Sequence, residues 1–326
     1  MRRTVVLGLL LCVTCPAQAA RADARGWGYL IGKLIADGVD AQRVDDVFQD
    51  PRVEPFTGLD FSLHRPREPR VLYRGFSRAR TIAAARRCRA HYADAFESAE
   101  RREGVPANLL AAILFVETGC GENTGSHVIF TRLARLAMAD APENIERNRA
   151  RYADDLGRID PGVEMQLRDR GRALAETFYP EVLALFTVAE RLGVDPLGIR
   201  GSSGGAFGYP QFLPSSYLAD GIDADGDGQV SLNDPADAAA SCARFLVRHG
   251  WQADLGRAAR RAVIWQYNHS DAYVDTVVTL AARIQGGVST THTTVAARKP
   301  VPQRANGRHT VRHVRRHRAA VKTVRS

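Results

Sequence analysis

Leu109 to Gly121, LLAAILFVETGCG, constrains the fold more than any other stretch of the chain. Gly104-Val105-Pro106 ahead of it supplies a stop and then a proline suited to a first helical turn, and Gly119 and Gly121 end the run. Every residue from Leu109 to Val116 is apolar, which predicts a helix buried on most of its circumference. One carboxylate, Glu117, sits close to the C-terminal end. An unpaired charge is expensive to bury, so Glu117 must either find a partner or hold its proton at neutral pH, the state a general acid needs. A structural glutamate that caps or salt-bridges a neighbour accounts for the same residues, and both readings stand at this level.

Export shapes the reading of the ends. Residues 1 to 24 have the form of a signal peptide: Arg2 and Arg3 give the positive start, Val5 to Val13 an apolar run too short to span a bilayer, and Ala17-Gln18-Ala19 and Ala22-Asp23-Ala24 small-residue cleavage patterns. The expected location is therefore the periplasm or cell envelope. Val13-Thr14-Cys15 is a poor lipoprotein signal, so lipid anchoring is not favoured. The net charge of +9 is concentrated at the other end, where residues 287–326 hold eight Arg and two Lys with no Asp or Glu. The rest of the chain is close to neutral, which removes the support for a nucleic-acid partner. The tail itself, rich in Thr, Arg and His, reads as a disordered segment that either tethers the protein to anionic envelope polymers or is merely solvated.

Of five cysteines, Cys12 and Cys15 fall in the signal, leaving Cys88, Cys120 and Cys242 in an oxidising compartment. One disulfide and one buried thiol is the simplest arrangement, with Cys88 to Cys120 favoured because both adjoin the Glu117 helix. Trp27 to Val47 reads as an amphipathic helix, Asp50 to Val71 as an extended segment broken by prolines, and Ala79 to Arg102 as one long charged helix. Further helical runs are expected over Thr131 to Ala139, Glu164 to Thr177 and Glu181 to Leu192. With no run of alternating strands, the fold class is mainly α.

Two further blocks carry chemistry. Gly201 to Tyr217, GSSGGAFGYPQFLPSSY, is a glycine- and serine-rich loop followed by aromatic and amide side chains, a composition able to line a sugar groove and equally able to form a surface turn. Asp223 to Asp234, DADGDGQVSLND, places oxygen side chains at loop positions 1, 3, 5, 9 and 12, with glycine at 6 and the Gln229 carbonyl available at 7. This is the EF-hand calcium pattern, with Asp223, Asp225, Asp227, Gln229, Ser231 and Asp234 as the expected ligands and Ca2+ as a structural cofactor. Its departure is Asp234, where a bidentate Glu is usual.

Together with HRPREPRVLYRGF, HGW at His249 to Trp251, and Tyr267-Asn268-His269-Ser270 with Tyr273, these motifs occur in an order that resembles the lytic murein transglycosylases of the B type, from about Asp60 to Ile284. The resemblance implies a lysozyme-like helical catalytic domain, here 79–286, with an inserted EF-hand-type calcium loop at 223–234 and the segment 25–78 packed on the body. It also implies a reaction: cleavage of the β-1,4 bond between N-acetylmuramic acid and N-acetylglucosamine in peptidoglycan glycan strands, leaving a 1,6-anhydro end. Glu117 would act as general acid and then base, and Ser202, Gln211, Phe212, Tyr267, Asn268 and Tyr273 would line the saccharide groove of a monomeric enzyme. Cys120 stands where the family usually has an aromatic residue, Phe207 where methionine is common and Pro210 where glycine is common. The interval from Glu117 to Gly201 is longer than usual, implying an enlarged lobe beside the groove. The runner-up is a catalytically weak peptidoglycan-binding protein that keeps the groove. Ordinary hydrolysis remains open if Glu122 or a distant Asp could place a water.

Overall fold

α5 (Ala107–Thr118) forms where the apolar run demanded a buried helix: Leu109 to Leu114 are all buried, and Gly119 closes the helix in a left-handed conformation with φ 65°. Beyond it, the Cys120 amide reaches back to the Leu114 carbonyl at 3.1 Å, so the chain turns sharply just after Glu117. The computed structural model describes residues 24–64 and 68–286. Apart from Ala24, the export signal therefore lies outside the described residues, as does the basic tail from Gly287. Among the described residues no helix is long and apolar enough to cross a membrane.

The fold around α5 is mainly helical. α1 (Gly28–Ala36) and α2 (Ala41–Gln49) replace the single helix expected over Trp27 to Val47. The break comes at Gly38, at φ +90°, and at Asp40, whose carboxylate caps the Arg43 amide. The long helix expected from Ala79 to Arg102 is likewise two, α3 (Ala79–His91) and α4 (Ala93–Glu103), bent at Tyr92. The bend lets α3 pack on α5 and on α12 (Asp271–Gln285), while α4 packs on α10 (Pro235–Arg248).

The interval between Glu117 and Gly201 holds α6 (Ile129–Ala137), α7 (Pro142–Leu156) and α8 (Pro161–Leu192). α7 has no apolar stripe to announce it. Its buried Asn144 and Asn148 instead clamp the proline-broken segment: Asn144 Oδ1 accepts the Leu59 amide at 2.7 Å, and Asn148 Nδ2 donates to the Leu59 carbonyl at 2.8 Å. Phe61, Ile145, Leu167 and Leu174 then make a second, smaller core. α8 runs unbroken through Pro180, where two helices were expected. A mid-helix proline costs roughly 3 kcal/mol, but Tyr179, Glu181 and Val182 around it are buried, so packing outweighs the lost bond. Glu181 receives the Ser215 amide at 2.9 Å and its hydroxyl at 2.6 Å, tying α8 to the first turn of α9 (Pro214–Asp220).

The small β element is β1 (His127–Val128) paired antiparallel with β2 (Arg200–Gly201), His127 opposite Gly201, and it continues through bridges from Gly201 to Phe207 and from Phe207 to Phe212. Gly201 must be glycine: a Cβ there would collide with the Ala206 carbonyl. α11 (Arg257–Tyr267) and α12 close the fold behind α5.

Candidate active site

Glu117 stands in the last turn of α5, half-buried, with the Tyr273 hydroxyl donating to its Oε1 at 2.6 Å. Its pKa is pushed up to about 7, first by burial and further by the Glu68 carboxylate, while the Tyr273 hydrogen bond opposes the shift. The C-terminal end of a helix dipole is itself unfavourable to an anion. The carboxyl is thus poised to exchange its proton near neutrality.

The surrounding side chains are fastened by a connected set of contacts. Tyr273 lies in the first turn of α12, its amide received by the capping Ser270 Oγ at 3.3 Å. Its ring lies parallel to Tyr267 at the end of α11, with centroids 6.3 Å apart and 7° between planes. The Tyr267 hydroxyl donates to the Pro210 carbonyl at 2.7 Å, which anchors one side of the 201–212 loop. Gln211 anchors the other: its Nε2 donates to Thr124 O at 3.1 Å, in the turn after α5, and to Gly208 O at 2.9 Å. These bonds hold Gln211 at φ 51°, a left-handed conformation rare for a side chain of this kind.

The disulfide pairs Cys88 with Cys120, leaving Cys242 as the free, buried thiol, as the cysteine pattern suggested. It pins the turn after Glu117 to α3. Within that turn Gly121, at φ +90°, lies where any Cβ would overlap the Tyr209 ring. Thr118 adds a third tie, donating its hydroxyl to the Tyr209 carbonyl at 3.0 Å.

The remaining expected groove residues divide. Ser202 lies beside β2 with its hydroxyl exchanging hydrogen bonds with Ala206. Asn268 ends α11, half-buried, its carbonyl receiving the Ser270 amide at 2.7 Å. Phe212 does not face the groove: it is 3% exposed, and its ring packs on Phe245 and Tyr267. The alternation of the bridged loop turns it inward, so it backs Tyr267 and offers no face to a ligand. Tyr273 is also buried and presents only its hydroxyl to Glu117.

Two residues near Glu117 escaped sequence reasoning. Glu68 lies in the Asp50 to Val71 segment read as extended and Tyr73 just beyond it, both within HRPREPRVLYRGF, a motif given no role at the site; yet Glu68 sits close enough to raise the pKa of both Glu117 and Tyr73, and the Tyr73 ring meets Tyr273 edge-on at 6.2 Å. No periodicity marks an isolated carboxylate brought in by a loop. Glu122, the acidic neighbour expected from the sequence, is exposed on the turn.

The acidic loop draws together the carboxylates of Asp223, Asp225 and Asp227, and separately those of Asp225, Asp234 and Asp237, each set within 4.8 Å. Asp234, expected as the closing ligand, also caps α10, its Oδ1 receiving the Ala236 amide at 2.7 Å. The buried Asp237, absent from the expected ligands, receives the Ala224 and Ser231 amides at 2.7 Å each, one on each oxygen. Its pKa is raised, chiefly by burial and also by Asp225 and Asp234. The readable signal was Asp234-Pro235, a helix cap followed by an N1 proline, which assigns Asp234 to the helix start. Carboxylates gathered this closely fit a hard divalent cation.

Comparison with known proteins places the chain in a family. A family model described as a transglycosylase SLT domain matches residues 25–261. The chain belongs to that family. Membrane-bound lytic murein transglycosylase B of Escherichia coli (strain K12) is 33% identical to this SLT-domain chain over 160 residues, which is 49% of this chain and 36% of the relative. Soluble lytic transglycosylase SltB1 from Pseudomonas aeruginosa superimposes with a TM-score of 0.60 at 23% identity, covering 79% of this chain and 97% of that one. The Escherichia coli lytic transglycosylase Slt35 in complex with calcium gives a TM-score of 0.58 at 22% identity, covering 80% and 92%. The SLT-domain chain thus shares the mainly helical, lysozyme-like fold of lytic transglycosylases.

Proposed function

We propose that this chain is a peptidoglycan lytic transglycosylase that cleaves the N-acetylmuramic acid β-1,4 N-acetylglucosamine bond and leaves a 1,6-anhydromuramyl end. The observation that carries the reading is Glu117, a carboxyl with its pKa pushed up to about 7 and a single short hydrogen bond from Tyr273. Protonated, it donates to the glycosidic oxygen as the C–O bond breaks. As a carboxylate, it removes the proton of the muramyl 6-hydroxyl, whose oxygen attacks the anomeric carbon of the same sugar. The nucleophile comes from the substrate, so no second catalytic carboxylate is required, unlike in two-carboxylate glycosidases. Tyr273 stabilises and orients the carboxylate between the two steps. Gln211, Ser202, Asn268 and Tyr267 supply amide, hydroxyl and ring surface for sugars, with Phe212 as their support.

Asp223, Asp225, Asp227 and Asp237, with the Gln229 carbonyl, Ser231 and Asp234 at the rim, would hold Ca2+ as a structural ion that locks the loop to α10. The basic tail, after export, would bring the enzyme to anionic envelope polymers.

Mass spectrometry of soluble products tests the reading, using the mature protein and Glu117→Gln on purified peptidoglycan. Anhydromuropeptides from the wild type alone are expected. Reducing-end products would replace the reading with hydrolysis, for which the nearness of Glu68 to Glu117 offers a second carboxylate. Binding without products would leave a peptidoglycan-binding protein.

A further inference from the structure

Three residues in succession after α5 are left-handed: Gly119 at φ 65°, Cys120 at φ 62° and Gly121 at φ 90°. Glycine adopts this backbone freely, but the β-carbon of Cys120 opposes it. The turn they build is what ends α5. The Gly119 amide donates to Phe115 O at 3.0 Å and the Cys120 amide to Leu114 O at 3.1 Å, closing the helix around the turn that carries Glu117. The disulfide runs from Cys120 to Cys88 in the last turn of α3, so it holds the one residue of the three that its own backbone does not favour.

The titratable groups that face Glu117 come from outside this turn. Glu68 and Tyr73 approach from the segment before α3, Cys242 from α10, Tyr267 from the end of α11 and Tyr273 from α12. Glu122, the carboxylate on the turn itself, is exposed. What the turn supplies is burial, the main cause of the raised pKa of Glu117. Burial requires the last turn of α5 to stay wound, and a helix end released from its cap frays into water.

The bond is also within reach of a reductant. Cys88 and Cys120 both line an open cavity of about 540 Å3, with Arg87 and His91 beside them and Glu122 opposing. Cationic neighbours favour an approaching thiolate. One thiolate of an external dithiol attacks a cysteine sulfur, and the Sγ–Sγ electron pair leaves on the other sulfur, which takes up a proton. The second thiol of the reductant then displaces the first cysteine, giving two cysteine thiols and the reductant's own disulfide.

We propose that the Cys88–Cys120 disulfide is a positioning element for Glu117 and that the redox state of this bond gates the site, active when closed and weakened when reduced. The activity half rests on the peptidoglycan reading; the positioning half does not.

The test compares the oxidised mature chain with the same protein treated with dithiothreitol, and with the double variant Cys88→Ala, Cys120→Gly, in which glycine suits the left-handed backbone while the tie is gone. Thiol counting in denaturant verifies the two states, one thiol before reduction and three after. Muropeptide release from peptidoglycan is followed across pH, and the Glu117 carboxyl is titrated by carbon-13 NMR. Reduction and the double variant are each expected to cut release about ten-fold or more and to move the Glu117 titration from about 7 toward the ordinary carboxylate range. The double variant should no longer respond to dithiothreitol. Equal release by oxidised and reduced protein overturns the proposal, as does an unmoved Glu117 titration or a double variant that matches the wild type in both readouts. Circular dichroism at the assay temperature shows whether the fold persists; should the double variant melt below it, the reduced wild type decides, and reduction that unfolds the whole chain overturns the proposal by making the bond a staple of the fold. If the oxidised protein releases no muropeptides, the peptidoglycan reading falls and the NMR titration alone decides the positioning role.

Discussion

Glu117 is the residue at which burial, hydrogen bonding and a neighbouring charge meet, and its titration can be read directly. With a pKa near 7 the acid form is lost as pH rises through neutrality, so kcat/KM should fall on the alkaline side with a midpoint near 7. Tyr273→Phe removes the hydrogen bond that favours the anion and should move this limb to higher pH, whereas Glu68→Gln removes a like charge and should move it lower. A pH–rate profile reads both, and coincident limbs in all three proteins would refute the assignment. Stability follows the same group in the same direction. Because folding raises this pKa above its unfolded value, the contribution of Glu117 is fully present below pH 4.5 and is lost as pH rises through 7. At pH 8.5 the ionised carboxylate therefore destabilises the fold, so Glu117→Gln should melt higher than wild type there and close to it at pH 4. Thermal unfolding at the two pH values checks this, and a less stable variant at pH 8.5 would show that the carboxylate is structurally paired.

Among the elements, the acidic loop and α10 depend on one another most closely. Asp234 caps the helix, and Asp237 within it holds two loop amides, so ordering the loop and starting the helix are one event. If a calcium ion sits among these carboxylates, a concentration of 100 times its Kd adds about 2.7 kcal/mol of stability. Chelation should then lower Tm by roughly 5–10 °C, and Asp237→Asn should abolish most of the response to added calcium. A melting curve indifferent to chelator and calcium alike would reduce the loop to an acidic turn. α7 shows the opposite kind of element, one without an apolar stripe, formed because two buried asparagines satisfy the backbone of a proline-broken segment.

At the scale of the whole molecule, charge is divided between a nearly neutral body and a tail carrying all of the excess, eight Arg and two Lys in residues 287–326. Removal of that tail should leave the melting temperature unchanged and weaken co-sedimentation with peptidoglycan at low salt, with the difference vanishing as salt is raised. Salt-independent retention of the truncated protein would deny the tail its tethering role. The amino-acid sequence alone determined the buried α5, the position of its lone carboxylate and the acidic loop, because each is a local pattern whose residue types admit few conformations. It also singled out Cys88 and Cys120 as neighbours of α5. Only the tertiary structure decided that α8 passes through Pro180, that α3 and α4 part at Tyr92, that Phe212 turns inward and that Asp237 joins the acidic cluster. It alone brought Glu68 towards Glu117 across a segment with no periodicity and set Arg132 and Arg135 of α6 beside Arg200 of β2 around one cleft. Those outcomes depend on packing and on electrostatic contacts between residues far apart in the chain, where local propensity has no hold.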